Sequence, residues 1–503
     1  MATPKEKLAE SLGVLASLQE KNVVAVRSSD LTRTHRERLV KSGFLQEVMK
    51  GWYIPTRPDE ERDASTAWYA SFWDFAAGYL TERFGDDWSL SPEQSLFIHA
   101  GNLAVPHQLL VRAKRARNKT TTLAHDTSLF ENRASIPSTG QTEVRNGLRL
   151  FSLAAALVSS GPGLFRQNST EARTALAMIR DSSDLLSVLL EGGHSKIAGR
   201  LAGAFRNIGR ERIADEILKT MKAAGYDVRE SDPFAEQTVF SMTTRDLSPY
   251  VIRMRLSWEE MRETVIGVFP EAPGLPGNKD AVLEGIDDKY VDDAYHSLSI
   301  EGYRVSRDLI DRVRTGNWDP DNDNDDSSER DSMAALGYLQ AFKAVKASIG
   351  RVLNGENSGD VADQDHSEWY RELFAPGVSA GILEPADLAG YRNDQVYIRR
   401  SKHVPPGQHA VRDMMPALFD LLREESHPAV RTVMGHWLFG YIHPYMDGNG
   451  RMGRFLMNAM LVSGGYSWTV ITIDRRNEYM TALEEASVNG NIKPLAEFLA
   501  DFL

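Results

Sequence analysis

One stretch constrains this chain more than any other: His443-Pro444-Tyr445-Met446-Asp447-Gly448-Asn449-Gly450-Arg451-Met452-Gly453-Arg454. Upstream of it, Val430, Val433, Met434, Trp437, Leu438 and Tyr441 recur at helical spacing, and downstream Phe455, Leu456, Ala459, Met460 and Leu461 do so again. The pattern predicts a glycine-rich loop between two buried helices. Gly448, Gly450 and Gly453 also fit the dinucleotide fingerprint, but that motif needs a strand before it, and the residues before His443 are helix-like. The chain has no G-x-x-x-x-G-K-[ST], which excludes a P-loop ATPase.

Each residue type in the loop meets a need of phosphoryl chemistry. A glycine-rich turn that feeds a helix N-terminus offers backbone N–H groups and a positive dipole end to phosphates. Asn449 adds a side-chain donor, and Asp447 is the one carboxylate beside this anion site, suited to a Mg²⁺ ion that bridges phosphate oxygens. Arg451 and Arg454, three apart, project to one side of the following helix with forked donors. His443 is the nearby group whose ordinary pKa is closest to neutrality, so it can take a proton from an attacking hydroxyl.

The rest of the chain sets the frame. At 503 residues and 42% apolar side chains it is too long for one compact unit, so two or three domains are expected. It has no cysteine, and any metal must be held by oxygen or imidazole. The opening MATPKEKLAESLG has no apolar core behind its charges, and no stretch approaches the roughly 18 apolar residues of a membrane span, so a soluble, cytoplasmic protein without membrane contact is expected. A net charge of −12 argues against a chain built wholly for nucleic acid, yet Lys and Arg total nine against six Asp and Glu over residues 1–56. There the pattern reads helix, short extended piece, helix, then two strands, Phe44–Val48 and Gly51–Ile54. Arg33, Arg36, Arg38 and Lys41 cluster on the second helix as candidate DNA contacts. Pro270–Gly277 is a Pro/Gly linker, and Thr315–Asp331 an acidic insert whose Asp326, in place of glycine, argues against a calcium loop through Asp321, Asp323 and Asp325.

The string HPYMDGNGRMGR is similar to the HPFx[DE]GNGRxxR signature of Fic domains, with Tyr445 for the usual Phe. The likeness extends back to Gly390-Tyr391-Arg392 and His403-Val404-Pro405-Pro406, and forward to Tyr479 and Leu483, covering about 285–503. Residues Val396, Tyr397, Ile398, Arg399, Arg400 and Ser401 resemble the β-hairpin flap on which the family holds a target segment. The resemblance implies a protein adenylyltransferase: His443 as general base on a Ser, Thr or Tyr hydroxyl that attacks the α-phosphorus of ATP, with Asp447 holding Mg²⁺. Gly448, Asn449, Gly450, Arg451 and Gly453 would cradle the phosphates, Arg454 would meet the γ-phosphate and Tyr479 would sit near the adenine. Met480 and Ser487 depart from the Tyr and Asn common there.

Ser297-Leu298-Ser299-Ile300-Glu301-Gly302 resembles the [ST]xxxE[GN] inhibitory motif of the same family, with Ser297 and Glu301 one turn apart on a helix ended by Gly302. The implied brake is an ion pair from Glu301 to Arg454. Removal of AMP, with Glu301 orienting a water, would use the same residues. A DNA-binding regulator is the alternative from another class, because SGFLQEVMKGWYIP resembles the winged helix of AbiEi-like antitoxin regulators. The expected fold is mostly α: a Fic-type helical core with a β-hairpin flap, after a winged helix (1–60), a mixed α/β region (61–235), and a linker with connecting helix (236–284). Expected partners are a target protein, DNA through the N-terminal segment, and a second copy of the chain.

Overall fold

A computed structural model describes residues 3–21, 23–58, 65–234, 248–318 and 329–503. The chain forms two compact units: Met1–Arg253 together with Tyr397–Val404, and Met254–Val396 together with Pro405–Leu503.

The first unit begins with helix Pro4–Gln19, started by Thr3 and Glu6 in a reciprocal capping box, and helix Arg33–Lys41, started by the Thr32 hydroxyl. Strands β1 (Val26–Arg27), β2 (Leu45–Met49) and β3 (Trp52–Pro55) form an antiparallel sheet in the order β1-β3-β2. The expected helix, extended piece, helix and hairpin are all present, with the strands shifted by a residue because Lys50 and Gly51 form the turn. Gly51 takes φ +81°, where a side chain would be strained. Leu15, Val26, Leu31, Leu39, Leu45 and Tyr53 share a small core.

Beyond it lie β4 (Trp88–Leu90), β5 (Gln108–Ala113), β6 (Lys119–Thr122), β7 (Ser128–Arg133), β8 (Thr142–Arg145) and β9 (Leu148–Phe151). The first four form a sheet in the order β4-β5-β7-β6, in which only β5 and β7 run parallel. Helix Thr66–Phe84 adds Trp68, Phe72 and Phe75 to a core with Trp88, Leu109 and Val111. Residues 153–223 are mostly short helices.

The second unit is helical, and among its described residues there is no strand. Helix Lys279–Ile300 is followed by Arg307–Thr315, Glu329–Leu353, Ser358–Ser379, Gln408–Glu424, Pro428–Ile442, Asn449–Ser463, Arg476–Asn489 and Lys493–Ala500. Helices 428–442 and 449–463 are buried on nearly every side, which their all-round apolar sequences permit. The fold is mostly α, as the sequence predicts, with small sheets confined to the first unit.

The flap departs from expectation. Residues 391–407 contain no strand, so there is no β-hairpin. Arg400 turns at φ +62°, Ser401 N–H donates to the Ile398 carbonyl (3.1 Å), and Pro405 and Pro406 have no N–H with which to continue a ladder. The first unit supplies other partners: Arg400 N–H donates to Thr66 Oγ1 (3.0 Å), and the Lys402 carbonyl accepts from Val105 N–H (2.8 Å). Val404 joins the aromatic core of that unit.

The middle of the acidic insert, including Asp321, Asp323, Asp325 and Asp326, lies outside the described residues. No helix among those described is long and apolar enough to cross a membrane.

Candidate active site

Helix 428–442 ends at His443, which adopts the left-handed conformation (φ 52°, ψ 61°) and so turns the chain sharply into the loop. Its N–H still donates to the Phe439 carbonyl (3.0 Å). Nδ1 lies 3.2 Å from the Gly440 carbonyl, an acceptor only, so Nδ1 carries the proton and Nε2 is left as a base. Burial pushes the imidazole pKa down to about 4, with the Arg392 cation adding to the shift and Glu301 and Asp447 opposing it. This is well below the near-neutral value expected from residue type, because the sequence shows no burial.

The loop is braced from within. Tyr445 is buried and stacks on Tyr370 at 3.9 Å between ring centroids. Asn449 Oδ1 accepts from Tyr445 N–H (2.9 Å) and its Nδ2 donates to the Tyr445 carbonyl (2.8 Å). Each end of the buried Asn449 amide thus makes one bond to the loop backbone, which braces the turn, and Nδ2 has a second hydrogen to donate. Gly448 takes φ +81° before helix 449–463, and a Cβ there would lie 2.7 Å from the Phe374 ring.

Arg451 and Arg454 follow on that helix, and both are buried. The Arg451 guanidinium lies between the rings of Tyr303 and Phe374, 5.0 Å from each centroid, a cation–π sandwich that fixes its direction. Arg454, only 3% exposed, donates from Nε to Ser297 Oγ (2.8 Å) and from Nη2 to the Ser297 carbonyl (3.1 Å) and Glu301 Oε1 (2.7 Å). Ser297 and Glu301 thus grip one guanidinium from one helix face, and Gly302 (φ +90°) ends that helix just beyond. Burial alone would raise the Glu301 carboxyl pKa, but the Arg454 and Arg451 cations and the hydrogen bond hold it below the usual carboxylate value.

Gly450 explains how the carboxylate comes so close. A Cβ at Gly450 would lie 2.1 Å from Glu301 Oε1, so only glycine leaves room for an anion against the first turn of this helix. The site therefore accepts a negative oxygen, and Glu301 places one there. Among the described residues, Arg451 Nε and Arg454 Nη1 are buried donors with no hydrogen-bond partner, which leaves capacity for a further anion.

Asp447 is the exposed carboxylate of the loop, with its side chain 63% accessible. Oδ1 accepts from Gly448 N–H (2.6 Å) and Oδ2 lies 3.5 Å from Arg451. No group of three or more His, Asp or Glu residues gathers as a metal cage among the described residues. Such a donor set fits Mg²⁺, which keeps waters and substrate phosphates as ligands, better than a metal that needs several protein ligands.

Other expected residues lie elsewhere. Tyr479 is fully buried, its hydroxyl 2.7 Å from His436 Nε2 and its ring stacked on Phe498, so the phenol is part of the interior rather than an open adenine contact. The Ser487 hydroxyl accepts from the Trp437 indole (3.0 Å). Of the flap residues, Val396 belongs to the second unit, whereas Tyr397, Ile398, Arg399, Arg400 and Ser401 belong to the first. In helix 33–41, Arg33 pairs with Glu37 (2.6 Å), Arg36 donates to the Ser28 carbonyl (2.8 Å) and Arg38 donates to Ser11 Oγ (2.7 Å), while Lys41 is exposed. Sequence reasoning missed Tyr303 and Phe374, which no spacing joins to Arg451, and Arg392, which it had noticed only as part of the flap.

Residues 364–461 match the model of the Fic/DOC family. Protein adenylyltransferase Fic of Drosophila willistoni is 27% identical over 262 residues, 51% of this chain and 48% of its own. The Nematostella vectensis protein of the same name is 29% identical over 231 residues, 45% of this chain and 50% of its own. The chain spans about half the length of the curated relatives it matches. Among solved structures, Fic-1 (residues 134–508) from C. elegans is 16% identical with a TM-score of 0.37, covering 66% of this chain and 84% of that one. The second half of this chain is thus similar to proteins of the Fic/DOC family.

Proposed function

We propose that this protein transfers AMP from ATP to a hydroxyl of a target protein, and that Glu301 restrains the reaction in the resting state. The observation that carries the reading is the pairing of a left-handed His443, its Nε2 free to accept a proton, with a helix N-terminus and two buried guanidiniums positioned for phosphate.

In this mechanism the α-phosphate rests against the turn Gly448–Gly450 and beside Arg451. His443 Nε2 takes the proton of a Ser, Thr or Tyr hydroxyl as that oxygen bonds to the α-phosphorus. The bond from the α-phosphorus to its bridging oxygen breaks, and pyrophosphate leaves with that electron pair. A Mg²⁺ ion held by Asp447 would neutralise charge between the α- and β-phosphates. Arg454 would pair with the γ-phosphate, but only after Glu301 has withdrawn, since the carboxylate that holds Arg454 Nη2 lies against Gly450, where a Cβ would be only 2.1 Å from Oε1, and fills the space a phosphate would need. One charge-assisted hydrogen bond contributes about 1.5–3 kcal/mol, roughly tenfold to a hundredfold in active population.

ATP labelled at the α- or γ-phosphate provides the test. Transfer of the α label alone to protein supports adenylylation. Transfer of the γ label would mean phosphorylation and overturn the reading, and release of AMP from a previously modified target, without any forward transfer, would assign the site to the reverse reaction.

A further inference from the structure

Arg392 is among the largest fully buried side chains, only 1% exposed, and its partners are unusual for a buried cation. Its Nε donates to the His443 carbonyl (2.8 Å), Nη1 to the Asp394 carbonyl (2.9 Å) and Nη2 to the Pro406 carbonyl, with the Ile442 carbonyl at 3.5 Å. Its own N–H donates to the Pro444 carbonyl (2.9 Å). Every acceptor is a main-chain carbonyl. A buried guanidinium normally has a carboxylate beside it, because burying a charge without one is costly.

The position of these carbonyls accounts for the arrangement. Ile442, His443 and Pro444 lie where helix 428–442 ends, and the last carbonyls of a helix have no partner within it and favour a nearby cation. His443 also occupies the left-handed region, which is strained for a residue with a Cβ and persists only when neighbours enforce it. Asp394 and Pro406 are the two feet of the loop that leaves and re-enters this unit between Val396 and Pro405. One guanidinium therefore ties the turn at His443 to both feet.

We propose that Arg392 is a positioning residue of the transfer reaction: it clamps the His443 backbone in the left-handed turn from which the imidazole meets the attacking hydroxyl. The inference rests on His443 as the base. Electrostatics point the same way. Burial is the main reason that the imidazole stays neutral, and the Arg392 charge adds to it, while Glu301 and Asp447, the other charged groups that act on the imidazole, push the opposite way. Arg392 itself is lowered to about 10 by burial, with Arg412 adding, and remains charged at neutral pH.

The test uses the full chain carrying Glu301→Gly, so that release of the brake is not limiting. Arg392→Met, Arg392→Lys and His443→Ala are compared by kcat and KM for ATP from pH 8 down to about 4, where the parent's acid limb is expected, with melting temperature as a check on folding. Arg392→Met should lower kcat about a hundredfold, the effect of misplacing a reacting group by about 1 Å, with KM for ATP changed less than about threefold. Its acid limb should move up from about 4 but stay below the ordinary histidine value of about 6.5, because burial, the larger cause of the low value, remains. Arg392→Lys keeps the charge but not the fork, so its kcat should fall while the acid limb stays low; it also serves where Arg392→Met does not fold. Unchanged kcat in a folded variant, or a fall in kcat and KM together with no shift of the acid limb, would overturn the positioning role. Activity retained by His443→Ala would instead remove the base assignment beneath it.

Discussion

The arginines of helix 33–41 and those of helix 449–463 are one residue type in two environments. In the first helix, Arg33 is 82% exposed beside a largely exposed Glu37, and water can replace either partner at little cost. In the second, Arg454 is buried and donates to three oxygens of one neighbouring helix, so every partner it loses must be replaced by another. Burial makes the choice of partner exclusive. A surface arginine therefore makes a patch of charge, whereas a buried one is held by a defined set of oxygens, and in the proposed mechanism one of them must give way to phosphate. The virtual clash at Gly450 shows how closely that carboxylate approaches the helix end where a phosphate would bind.

That contrast can be broken at several points. The largest expected effect is on the base: His443→Ala should reduce transfer by about 10²–10⁴ while nucleotide affinity stays within a few-fold, as isothermal titration and rate measurements on the same preparation would show. A comparable rate in that variant would make the buried loop a binding site alone. Next is pH. Activity needs the neutral imidazole, and with His443 pushed down to about 4, transfer by the Glu301→Gly protein should stay nearly flat from pH 7 to 5 and fall only as pH approaches 4. An acid limb near 6.5 would mean that the imidazole is more solvated in the working enzyme than in the resting one.

Smaller effects sharpen the surface side of the comparison. Arg38 donates to the Lys7 carbonyl as well as to Ser11 Oγ, joining two helices, so Arg38→Ala should destabilise the first unit by about 1–3 kcal/mol, read from its thermal transition. Arg33→Ala should leave that transition in place. If the whole protein is retained on DNA at low salt, Arg33→Ala should reduce the slope of log affinity against log salt by about 0.9, whereas Arg38→Ala should not reduce it in a folded sample. Equal slopes for both variants would mean that helix 33–41 meets no phosphate.

The parts legible in the sequence were those whose chemistry lies in local spacing. Residues 443–454 showed their loop between buried helices because the apolar periodicity on either side is strong, and Ser297 with Glu301 showed a shared face because they are one turn apart. What was missed depends on distant neighbours. That Asn449 braces the loop through both ends of its amide is visible only with the Tyr445 backbone in place. Tyr479 looks available until His436 and Phe498 close around it. The flap looks like a hairpin from its composition, yet two prolines and partners in the first unit leave it without a ladder. Arg392 carried no signal beyond its place in a short motif, since all its acceptors are backbone carbonyls, which every residue has.

The central claim is that Glu301 and the γ-phosphate exclude one another at Arg454, and the most direct measurement is transfer of α-labelled AMP by the full chain with and without Glu301→Gly, across a range of ATP concentrations. Glu301→Gly should transfer at least tenfold faster than wild type, Glu301→Gln, which keeps the shape but not the charge, at an intermediate rate, and Glu301→Gly combined with Arg454→Ala poorly. Equal rates for wild type and Glu301→Gly at every ATP concentration, with His443→Ala inactive in the same assay, would contradict the brake while leaving the catalytic loop in place.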